Sequence, residues 1–175
     1  KELLPTLAGD VPEPALSEAL QRMHAALESD DSIQGLRSDH ARLFLGAGKS
    51  KTHPWESMYR SEERMVWSGP AYGVLSHYAR AGLGYDDMAT LPPDHVGREL
   101  LFVATLSVEA LEADDTRKAE LNAAKRAFLD EHLTQWLPQF LSDLREHAST
   151  DFFKVIADGL TVHLGSEVSE TRASA

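Results

Sequence analysis

The sequence contains no cysteine. That excludes disulfides, thiolate metal sites and a thiol nucleophile, and it fits a reducing cytoplasm. It contains no run of about 18 apolar residues, the length a membrane-crossing helix needs, and no stretch ordered like a secretory signal. The chain opens on Lys1 rather than Met, so a targeting statement about the N-terminus carries little weight. Cations are scarce: 17 Lys and Arg stand against 28 Asp and Glu, giving a formal net charge of −11. Phosphate binding needs clustered cations, so nucleic acid is disfavoured as a partner and a basic ligand is favoured. Acidity that serves solubility alone is the competing reading. Strand-type alternation is also lacking. Thr105 to Ala110 alternates, but its Ala, Leu and Glu content favours helix. No internal repeat, low-complexity tract or second-domain boundary is visible.

What is present is an ordinary globular balance, 42% hydrophobic and 26% charged over 175 residues, which predicts one domain spanning 1–175 with its own core. Lys1 to Asp10 reads as the tail of a helix with a loop at Gly9. After Pro12 and Pro14, Leu16, Leu20, Met23 and Leu27 share one helical face, which Asp30-Asp31-Ser32 ends. Asp39 to Leu45 predicts a second short helix, and Gly46 to Pro54 a loop. Ser61 to Trp67 predicts a turn or two of helix, broken at Ser68-Gly69-Pro70. Tyr72, Leu75 and Ala79 mark the next helix, stopping near Gly82 and Gly84, and 85–91 form a connector.

The centre of the predicted fold is the helix from Pro93 to Leu111. Pro92 and Pro93 suit a helix start, and Asp94 falls at its cap or in its first turn. From Leu100 to Leu111 nearly every residue is apolar or small, which predicts a helix wrapped on nearly all sides. Ala113-Asp114-Asp115-Thr116 makes a turn and cap. Leu129, Leu133, Trp136, Phe140 and Leu144 then keep helical spacing across Pro138, which predicts two helices or one kinked at Trp136-Leu137. Phe153, Ile156, Leu160 and Leu164 mark the last helix, and beyond Ser166 the chain reads as a frayed polar tail. The fold class is all-α.

Three kinds of chemistry have spacing requirements that this sequence does not meet. The GAGKS stretch lacks the first glycine of a phosphate-binding loop, since Leu43 stands there, and Pro54 follows too soon for the required helix. The eight His show no H-x-x-x-H, H-E-x-x-H or H-x-H pattern, and neighbours such as Glu131-His132 face different sides of a helix. Ser57 has no nucleophile-elbow setting. No catalytic set, metal site or resident cofactor is assigned.

Four segments in order carry a family likeness. They are His40-x-x-Leu43-Phe44, Pro54-Trp55-Glu56-Ser57-Met58-Tyr59, Pro92-Pro93-Asp94-His95, and His132-Leu133-x-x-Trp136-x-x-x-Phe140. Together they resemble the TorD/DmsD family of chaperones for molybdenum-containing redox enzymes. The chain departs from that pattern where His40 stands for an aromatic and Leu91 for an acid, and the family's first helix is absent ahead of Lys1. The resemblance implies a non-enzymatic, cytoplasmic, all-helical protein. Such a protein binds the twin-arginine signal peptide of an apo-molybdoenzyme of the DMSO-reductase type and assists cofactor insertion before export. A peptide joining arginines to an apolar stretch calls for acidic groups beside an aromatic groove. The residues carried over are Leu43, Phe44, Trp55, Ser57, Tyr59, Pro93, Asp94 and His95, with Asp94 as the acid. The alternative is an enzyme or a GTP-dependent switch built on the acids and His near Asp94. A missing first helix would expose apolar surface, so a monomer and a helix-exchanged homodimer are weighted equally.

Overall fold

The computed structural model describes residues 14–28, 33–46, 50–84 and 91–173. The helix tail expected over 1–10, the break at Asp30-Asp31-Ser32, the middle of the GAGKS loop and the connector over 85–90 lie outside them. The fold is all-α: the described residues contain no strand, and an isolated bridge pairs Trp55 with His95. None of the described helices is long and apolar enough to cross a membrane. The chain divides into two compact units, one of residues 1–53 and 138–169, the other of 54–137 and 170–175.

The first unit holds α1 (Pro14–Glu28), α2 (Ile33–His40) with its π-helical extension Ala41–Leu45, the later part of α7 (Thr134–His147), and most of α8 (Asp151–Ala173). Small residues bring α1 close to α8, since a Cβ on Gly159 would lie 3.3 Å from that of Ala19. Asp39 fastens the start of α8. One of its oxygens accepts the Ser149 N–H, the Thr150 N–H and the Thr150 hydroxyl at 2.8–2.9 Å, and the other accepts from Arg42. Burial would raise the Asp39 pKa, but these donors outweigh it and hold the carboxyl below its ordinary value. Residues 167–173, read from the sequence as a loose tail, continue α8. Ser166 and Ser169 return their hydroxyls to the carbonyls of Val162 and Gly165.

The second unit holds α3 (Ser57–Arg60), α4 (Gly69–Arg80), α5 (Val96–Glu112), α6 (Asp115–Phe128), a π-helical turn Leu129–Leu133, and the start of α7. Asp114 caps α6 through the Arg117 N–H at 2.9 Å, and Gly82 ends α4 with φ 78°. Phe102 and Phe128 pack edge to face at 4.7 Å, with Tyr78 against Phe102 at 4.9 Å, over buried Val103 and Leu106. The expectation of burial all round α5 holds for one face. Leu101, Val108 and Leu111 are 67%, 63% and 81% exposed.

Two local expectations are corrected. Residues 61–68 form turns rather than helix, with Arg64 and Trp67 at positive φ, and Ser68-Gly69-Pro70 opens α4 instead of interrupting one. Pro70 suits a first turn because its missing N–H has no partner there anyway. Along the last long run, helix continues through Pro138, and the irregularity lies upstream in the π-turn. There the Thr134 N–H reaches the Leu129 carbonyl five residues back. Carbonyls of the widened turn take side-chain donors, Asp130 from Gln135 at 2.9 Å and Glu131 from Arg60 at 2.7 Å.

Candidate functional site

The segment after Pro54 and the segment before α5 meet as one antiparallel bridge. The Glu56 N–H donates to the Asp94 carbonyl at 3.0 Å, and the Val96 N–H to the Pro54 carbonyl at 2.9 Å. Asp94 is wholly buried, and its Oδ2 accepts both the Ser57 N–H, at 2.9 Å, and the Ser57 hydroxyl. It therefore anchors the first turn of α3 rather than that of its own helix. The N-cap of α5 is His95, held in extended conformation by the bridge, with its Nδ1 accepting the Gly97 N–H at 3.1 Å. An accepting Nδ1 requires an unprotonated nitrogen. Accordingly, burial first, with Arg98 in support and Asp94 opposing, lowers the His95 pKa. The Trp55 ring packs edge-on to His95 at 5.9 Å, and the Pro93 carbonyl accepts from the Tyr78 hydroxyl at 3.0 Å.

Behind the bridge lie two acids that residue-by-residue reading passed over. Glu56 and Glu99 are, like Asp94, fully buried. Glu56 is paired by Arg60 and by His132, whose Nδ1 lies at 2.7 Å. Glu99 accepts the Trp136 indole N–H at 3.0 Å. Burial, and after it the Glu56 charge, raise the Glu99 pKa well above the carboxylate range, with the indole opposing. As the neutral acid, Glu99 is a donor toward Glu56, where two ionised carboxyls would repel. A usable signal did exist: Glu99 is an acid at the head of an apolar helix, and His132 and Trp136 are polar-tipped residues one turn apart.

Trp55, Ser57, Pro93, Asp94 and His95 thus come together at the bridge, and Tyr59 packs on Trp136 at 5.6 Å. Leu43 and Phe44 belong to the other unit. Leu43 is fully buried and its carbonyl accepts from Thr52 at 2.7 Å, while half-buried Phe44 meets Phe153 edge-on at 5.8 Å and His40 at 5.2 Å.

The family described as nitrate reductase delta subunit matches residues 11–142. The chain belongs to this family. Its relatives include the chaperone protein TorD of Photobacterium profundum, 26% identical over 157 residues, 87% of this chain and 73% of that one. The TorD of Vibrio parahaemolyticus is 25% identical over 146 residues, 83% and 68% of the two chains. That of a Psychrobacter species is 26% identical over 154 residues, 87% and 68%. This TorD-family chain is accordingly a chaperone and not an enzyme.

Proposed function

We propose that this chaperone acts in the cytoplasm on a molybdoenzyme of the DMSO-reductase type. It binds the twin-arginine signal peptide of the apo form and holds it through cofactor insertion, before export. The observation that supports this reading is a pair of buried polar atoms at the bridge with no hydrogen-bond partner, Asp94 Oδ1 and Trp55 Nε1. Native proteins pair nearly all such atoms, so an unmatched acceptor and an unmatched donor on facing segments ask for a ligand. An arginine guanidinium is donor-only and fits Asp94 Oδ1, and a peptide carbonyl fits Trp55 Nε1. His95 is held neutral and does not repel the arginine. Ser57 and Pro93 fix Asp94 in place, while Tyr59, half-buried beside the bridge segment, offers apolar contact to the rest of the peptide. The net charge of −11 draws a basic ligand toward the protein.

Calorimetry with a twin-arginine peptide and its Lys-Lys counterpart tests this. Trp55→Ala and Asp94→Asn should each cost ~1–3 kcal/mol of binding, and Asp94→Asn should narrow the preference for arginine. Wild-type binding by both variants, with only their melting temperatures lowered, would show these residues to be internal framework and refute the assignment.

A further inference from the structure

His132 stands on the π-turn with Nδ1 committed to Glu56. A carboxylate only accepts, so Nδ1 carries a proton, and in the neutral ring Nε2 keeps a free lone pair. That nitrogen has no hydrogen-bond partner among the described residues, although His132 is 4% exposed. It borders a pocket lined by Arg60, Gly73, Asp130, Glu131 and Gln135. The ring fits there because α4 has no side chain at Gly73, where a Cβ would stand 2.9 Å from His132 Cε1. One turn along α4, buried His77 sets its ring perpendicular to that of His132 at 5.1 Å and places Nε2 3.0 Å from Glu131 Oε2.

One ligand atom from each of His77, Glu131 and His132 lies within 4.8 Å of the others. Sequence spacing could not show this, because Glu131 and His132 are neighbours and the third member arrives from another helix. We propose that His77, Glu131 and His132 form a three-ligand site for a zinc-type transition-metal dication, with a fourth position open to the pocket. Two imidazoles and one carboxylate suit zinc rather than magnesium or calcium, which prefer oxygen alone. Glu56 supplies the carboxylate that fixes the tautomer and orientation of a metal-bound imidazole. Zinc–ligand bonds of about 2.0–2.2 Å require the three atoms to close in, and Glu131, with its side chain 60% exposed, has the freedom to do so. On binding, the Nε2 proton of His77 is lost or moves to Nδ1, and the metal replaces the hydrogen bond to Glu131. Charge agrees: Glu131 and Asp130 line the pocket, and Arg60 is already paired with Glu56.

The site is independent of the signal-peptide reading and is tested without a peptide. The full chain, free of any histidine tag and stripped with chelator, is titrated with zinc chloride by calorimetry and with cobalt(II) by visible absorption. One equivalent of zinc should bind and raise the melting temperature, and cobalt should give the intense bands of a tetrahedral site. Glu131→Gln, on the surface, should keep the metal-free melting temperature while weakening zinc at least about tenfold and losing the cobalt bands. His77→Gln should do the same to binding. If the wild type takes up no zinc, or if both variants bind as it does, the His77–Glu131 contact is a tie between helices and the site does not exist.

Discussion

Glu99 keeps its carboxyl among Glu56, Asp94 and Trp136 with no exposed surface, and burial together with the Glu56 charge keeps it protonated far above the usual range. Its folded pKa is therefore raised above the unfolded one, and the folded chain binds more protons wherever the two differ. The stability tied to this group is complete below the unfolded value near 4.5 and is lost as pH rises through the folded value. Glu99→Gln keeps an acceptor for the indole and a donor toward Glu56 but does not titrate. Urea melts of both proteins from pH 5 to pH 9 should show the variant gaining on the wild type steadily as pH rises. A constant difference would mean that Glu99 is ionised in the folded protein throughout. At neutral pH the substitution should cost no more than ~1 kcal/mol, the scale of one altered hydrogen bond.

At the scale of elements, α5 separates burial from mere hydrophobicity. Phe102 is buried against Tyr78 and Phe128, whereas Leu101, its neighbour in sequence, faces outward. Phe102→Ala should cost ~3–5 kcal/mol, and Leu101→Glu less than ~0.5 kcal/mol, both read from denaturant midpoints at unchanged slope. Equal costs would place α5 inside the core on both faces. Most helices were legible, because a 3.6-residue apolar period is a local property, but the helix expected over Ser61 to Trp67 is a set of turns and the short α3 was not anticipated. The ends set by local chemistry, at Asp114 and Gly82, were legible too. Two further features were not. Leu101, Val108 and Leu111 look like core residues because sequence records what a residue prefers and not what covers it. The π-turn was hidden because it arises where Asp130 and Glu131 carbonyls find Gln135 and Arg60 as partners, and Arg60 lies far off in the chain.

For the molecule as a whole, the short motifs identified the family but not what their residues do. Asp94 read as a helix cap or an acid facing a ligand; it is enclosed and bound to Ser57. His132 and Trp136 read as parts of one family motif; they reach the two acids, Glu56 and Glu99, that residue-by-residue reading left aside. These pairings join distant positions, so no window along the chain could reveal them. The bridge between Trp55 and His95 has a consequence in time. It hangs on two backbone hydrogen bonds, and the unmatched atoms of Asp94 and Trp55 lie enclosed beside it. On the proposed reading, a peptide that uses those atoms waits for the bridge to part, and the opening rate is then a ceiling on capture. In stopped-flow mixing, the observed rate should rise with peptide concentration and then level off, at a value shared by signal peptides of different affinity. A rate that climbs linearly to the highest concentration would mean that the client docks on the closed surface.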